Sequence, residues 1–163
     1  MSRKLTLRSK DPETLVLSGL DEFLGSILRD VPEIGTPSAG SEGRLFPDPT
    51  GGREGQMDAD WREFVRPELE EHFAMNRDVV REELQRMRAA RGGAFELEIS
   101  VAHLPQWIHT LNQARLALDA QHQIGERHFG EEFELSGEEG LALFQIQFYG
   151  MLQEWMLSRI DSL

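Results

Sequence analysis

The chain has 163 residues, with 17 lysines and arginines against 29 aspartates and glutamates, a formal net charge of −12. That length supports one domain with a buried core, while the charge repels phosphate backbones and anionic lipid heads, so direct nucleic-acid or membrane binding is disfavoured. Cysteine is absent, which excludes disulfides, thiolate metal sites, iron–sulfur clusters and cysteine nucleophiles.

The basic segment Met1 to Lys10 is not followed by an apolar run with a small-residue cleavage site, so no export signal is expected and the chain reads as cytoplasmic. Within it, Leu5 and Leu7 alternate with Lys4, Thr6 and Arg8 at the two-residue period of a short edge strand. Asp11-Pro12-Glu13 then offers an N-cap, a proline suited to a first helical turn and an acid at the positive end of a helix dipole. A helix is expected from there to Pro32, with Leu17, Leu20, Phe23 or Leu24, Ile27, Leu28 and Val31 on its buried face.

Residues 32–57 hold six glycines and four prolines and few apolar side chains, which predicts a long loop, partly mobile. Leu45 and Phe46 are expected to dock on the core and pin its middle. Asp58 or Asp60 caps a second helical stretch with Trp61, Val65, Leu69, Phe73, Val80, Leu84 and Met87 at helical spacing, kinked or divided by Pro67 near Arg66. Arg91-Gly92-Gly93 closes it.

Strict alternation over Phe95–Val101 predicts a strand, and the basic Lys4–Arg8 segment opposite Glu96 and Glu98 supplies its expected partner. A third helix starts at Ser100 or Pro105 and carries Leu104, Trp107, Ile108, Leu111, Leu116 and Leu118. Residues 125–136 form a turn region, after which Ser136 and Glu139 make a capping box for the last helix. That helix is apolar around most of its circumference and interrupted by glutamines, which marks it as buried in a bundle or covered by a subunit contact; a homodimer through it is one expectation. The expected fold is mainly α: one domain, a bundle of four to five helices with a short two-stranded β element formed by the N-terminus and residues 95–99.

Two constellations carry candidate chemistry. On the third helix, Asn112 and Arg115 adjoin the apolar stripe of Trp107 and Leu111, and the last helix offers Gln153 and Glu154 beside Trp155. An Arg115 to Glu154 pair, with amide hydrogen bonds from Asn112 or Gln153, would lock the register of the two helices or line a ligand or partner pocket. His122 and Glu126, with His128, Glu131 and Glu132 following, have metal-ligand side chains, yet glycines fall among them and no His-Glu-x-x-His spacing exists, so no metal or other cofactor is expected. No nucleophile elbow, phosphate-binding glycine loop or dinucleotide fingerprint occurs, and an enzyme is not expected.

The run Trp107-Ile108-His109-Thr110-Leu111-Asn112-Gln113-Ala114-Arg115-Leu116-Ala117-Leu118, with Leu152-Gln153-Glu154 and Leu45-Phe46-Pro47, resembles an acidic bacterial family catalogued as the domain of unknown function numbered two thousand and seventeen. In that family an acid usually follows the asparagine and a glycine often follows the leucine run; Gln113 and Asp119 stand there instead. The resemblance implies a cytoplasmic helical protein, commonly encoded beside a Clp protease adaptor and sulfur-metabolism genes and sometimes described as a transcriptional regulator. It brings no catalytic residues, and a thiol switch proposed for some relatives cannot operate without cysteine. With this charge, a transcriptional role would run through a basic protein partner rather than through DNA. The expected function is therefore non-enzymatic regulation or protein interaction. The alternative is a small-molecule or metal-binding module using Asn112, Arg115 and Glu154 or the segment His122 to Glu132.

Overall fold

The computed structural model describes residues 4–124 and 137–162 and shows an α+β fold, which corrects the expected mainly-α bundle with a two-stranded element. Four strands, β1 (Thr6–Asp11), β2 (Thr14–Leu20), β3 (Arg88–Ala89) and β4 (Phe95–Ser100), form one antiparallel sheet in the order β1-β2-β4-β3.

The correction centres on residues 14–20, expected as the start of a helix. Asp11-Pro12-Glu13 is a hairpin turn in which Asp11 Oδ1 accepts the Glu13 amide at 2.8 Å. Asp and Pro serve turns as well as helix starts. Leu15, Val16 and Leu17 are all buried, as befits a central strand covered on both faces, and such a strand shows no alternation to set against a helical period. Gly19 sits at φ 86 beside a bulge between Ser18 and Leu20, and a Cβ there would lie 2.4 Å from the Lys4 carbonyl oxygen. Only glycine fits that crossing.

β2 also separates the two strands expected to pair. Leu7, Leu17 and Leu97 are aligned across β1, β2 and β4, with Leu15 beside Ile99, and these five side chains form the core face of the sheet. The opposite face carries buried Val16 beside Glu98 and charged side chains around them. Lys10 Nζ still reaches Glu98 at 2.6 Å, and Arg88 on β3 binds Glu96 at 2.7 Å and Glu98 at 3.1 Å. β3, two residues long, is too short to leave a periodic signal.

The expected first helix reduces to α1 (Glu22–Arg29), capped by Asp21, whose Oδ1 accepts the Leu24 amide at 2.7 Å. The expected loop 32–57 begins within the single-turn α2 (Val31–Ile34), includes the single-turn α3 (Glu42–Leu45) and ends inside the next helix, which starts at Gly55, so Asp58 and Asp60 lie within that helix rather than capping it. Leu45 and Phe46 are buried, the Phe46 ring stacked 5.4 Å from Phe73 and the Arg66 guanidinium 5.0 Å above it. Buried Asp58 ties down the Thr50–Gly52 turn: it accepts the Thr50 amide at 3.0 Å, the Thr50 hydroxyl at 2.8 Å and the Gly52 amide at 2.9 Å. The second helical stretch is divided at Val65, ahead of Pro67, into α4 (Gly55–Phe64) and α5 (Arg66–Leu84).

Two long helices complete the core. α6 (Leu104–His122) lies among α2, α3, α5 and α7 (Glu138–Asp161), with α7 its most extensive neighbour. Trp107, Leu111, Ala114 and Leu118 of α6 belong with Phe148, Tyr149, Leu152 and Met156 of α7 to one buried cluster that also takes in the sheet's leucines.

Candidate functional site

At the α6–α7 seam the structure brings together part of the expected constellation. Arg115 donates to Gln153 Oε1 at 2.7 Å, and the Gln153 amide donates to the Ile108 carbonyl at 3.1 Å, so one buried glutamine bridges a guanidinium and the neighbouring helix backbone. The guanidinium also lies over Gly150, the position of α7 that leaves it room. Glu154, the expected ionic partner, is exposed, so the Arg115–Glu154 pair does not form. Helical geometry explains the exchange: residues 149, 152, 153 and 156 face α6, and position 154 turns outward. Asn112 is half-buried and Trp107 fully buried. The Trp107 Nε1 and Arg115 Nε groups have no hydrogen-bond partner among the described residues. The arrangement holds two helices in register.

Of the metal candidates, His122 ends α6, half-buried, whereas Glu126 and His128 lie outside the described residues. Ser136 of the expected capping box lies outside them too. Among the described residues no group of three or more His, Asp or Glu side chains is placed to hold a metal ion. No described helix is long and apolar enough to cross a membrane.

The structure adds a pairing that sequence reading missed. Buried Glu83 of α5 accepts the Ser100 amide at 3.0 Å through Oε2 and meets His103 Nδ1 at 2.5 Å through Oε1. The carboxylate thereby ties the end of β4 to the residue that opens α6. No signal in the sequence links positions 83 and 103, because the sheet brings them together.

The most distinctive exposed surface runs along α4 and α5. Phe64, Met75 and Met57 are 66%, 61% and 52% exposed; Met57 and Phe64, seven residues apart, share one face of α4, and Met75 is exposed on α5 beyond the division at Val65. Asp60 on α4 and Glu68 and Glu71 on α5 are exposed among them, and none enters an ion pair among the described residues. The cations nearby are already engaged: Arg62 forks onto Asp48 with two contacts of 2.7 Å, and Arg66 binds Glu70 and Glu42. The Arg62 fork and the nearby charge of Arg66 hold the Asp48 carboxyl below the usual carboxylate range, against the opposing effect of burial. This leaves a stripe of apolar knobs in a negative field. The seven-residue step is visible in the sequence, but a period by itself does not say which side of a helix stays open.

A family model described as Domain of unknown function (DUF2017) matches residues 5–163. No curated protein and no solved structure matches the chain.

Proposed function

Because the chain belongs to the DUF2017 family, whose function is undefined, we propose a role from its surface: a non-enzymatic, cytoplasmic interaction protein that docks a basic protein partner on the α4–α5 stripe and regulates it. Transcriptional control through such a partner is one setting for this activity. The observation that carries the reading is the interleaving, along the consecutive helices α4 and α5, of exposed Met57, Phe64 and Met75 with exposed Asp60, Glu68 and Glu71, acids without an ion-pair partner among the described residues. Exposed apolar side chains rimmed by charge suit a partner helix with apolar anchors and lysines or arginines around them. A second copy of this chain would bring acid against acid there, and nucleic acid or an anionic membrane would be repelled.

The alternative, a ligand module at Asn112, Arg115 and Glu154, asks for an open polar cluster, whereas Arg115 and Gln153 already engage each other. The test is photo-crosslinking from position 64 in cells. The expected result is an adduct with a basic protein that disappears in a Glu68→Lys, Glu71→Lys variant and fades as salt rises. Adducts no more abundant than those from an exposed position on the sheet's charged face would overturn the reading.

A further inference from the structure

α7 carries two apolar stripes side by side. One, Ala142, Tyr149, Leu152 and Met156, with the amide of Gln145 among them, is buried. The other, Leu141, Phe144, Phe148, Met151 and Trp155, repeats at three and four residues, the spacing of a coiled-coil seam; Phe148 at its middle is buried and Met151 and Trp155 are half-buried, but Leu141 and Phe144 are 43% and 42% exposed. The second stripe opens onto a groove of about 320 Å³ bounded by Leu5, Leu24 and Gln147. The groove continues past Leu5 into a further one of about 380 Å³ lined by Lys4, Trp155 and Arg159. Charge along it is polar: exposed Glu138 stands one turn before Leu141, while Lys4 and Arg159 stand at the far end. Arg159 is fixed there by donating to the Leu7 carbonyl at 2.6 Å.

We propose that this face binds a second copy of the chain, α7 against α7, antiparallel, with the two-fold axis at the level of Phe148. That register sets Leu141 of each copy beside Trp155 of the other and Glu138 beside Arg159 and Lys4, so apolar and ionic groups match at once. A parallel pairing would put Glu138 on Glu138 and Arg159 on Arg159. The net charge of −12 on each copy opposes association, but repulsion beyond about 8–10 Å is screened at physiological salt whereas the end contacts are local. The surface is separate from the α4–α5 stripe and stands whether or not a basic partner docks there.

The absence of cysteine makes the test clean, since each single substitution supplies the only thiol. Sedimentation should show a dimer that Phe144→Asp converts to monomer with unchanged circular dichroism. Lys4→Glu should weaken the dimer about fivefold, the effect of losing one partly exposed interfacial ion pair, and adding Glu138→Lys should restore part of the loss. Under mild oxidation Gln147→Cys should crosslink with itself. Glu138→Cys should crosslink with Ser158→Cys in a mixture and neither should do so alone, because in the antiparallel register identical ends lie about 30 Å apart. A monomer at the highest soluble concentration overturns the proposal. So does a dimer indifferent to Phe144→Asp, or self-crosslinking of Glu138→Cys.

Discussion

The guanidinium of Arg115 lies against Gly150 so closely that a Cβ built on the glycine would sit 3.1 Å from Cζ, 3.2 Å from Nη2 and 3.3 Å from Nε. Gly150 lies within α7, where glycine ordinarily costs about 1 kcal/mol relative to alanine. Its presence there reflects the space the guanidinium needs. Gly150→Ala should therefore lose about 1–2 kcal/mol net, because displacing the guanidinium weakens a charge-assisted hydrogen bond to Gln153 worth more than the gain in helix propensity. In an Arg115→Met background the same substitution should become stabilising by about 0.5–1 kcal/mol. Urea unfolding of the four proteins of that cycle reads the reversal, and equal effects in both backgrounds would refute it.

Gln153 and Glu154 are neighbours in sequence with opposite roles. Gln153→Ala removes the acceptor for Arg115 and the donor to the Ile108 carbonyl, and should cost about 2–3 kcal/mol. Glu154→Ala, at an exposed position, should stay within about 0.5 kcal/mol. Thermal unfolding of the two variants decides between this ranking and a register lock built on an Arg115–Glu154 ion pair.

Asp58 should titrate low. Burial by itself would raise its pKa, but the Thr50 amide and hydroxyl and the Gly52 amide favour the carboxylate and hold the value below the ordinary range. The resulting stabilisation is present above the unfolded-state pKa of about 3.9 and is lost as pH falls through the lower folded value. Carboxyl carbon shifts followed by nuclear magnetic resonance should place its midpoint below that of exposed aspartates. Asp58→Ala should abolish the protection of the Thr50 and Gly52 amides from hydrogen exchange.

Tyr149 is the only tyrosine in the chain, so its ionisation can be followed alone. Burial raises the pKa of its phenol strongly, the Gln145 hydrogen bond opposes that rise, and the charge of Asp30 adds to it; the hydroxyl donates to the Ile27 carbonyl at 2.5 Å. With the folded value above the unfolded value of about 10, the contribution to stability is complete below pH 10 and declines as pH rises beyond it. Tyrosinate absorbance should appear together with loss of helical circular dichroism; absorbance rising while the helices persist would contradict this. Tyr149→Phe should cost about 1–2 kcal/mol by leaving a buried carbonyl without that donor.

Local physics made much of the chain legible. Apolar spacing located α5, α6 and α7, Pro67 marked the division near Val65, and the pair Leu45-Phe46 stood out as an anchor in a glycine-rich stretch, because helix periods, missing amide donors and isolated apolar residues act over a few positions. Tertiary structure decided the rest. β2 took its identity from β1 and β4, which pair its two edges, while the burial of Leu15, Val16 and Leu17 alike left no alternation to mark it. Arg115 took Gln153 rather than Glu154 because a partner one residue along a helix lies about 100° around it. Glu83 met His103 only through the sheet, and which apolar stripe of α7 stayed open depended on where α6 lay. Periodicity determines which residues a segment can share on one face; the packing of whole elements determines which face is covered.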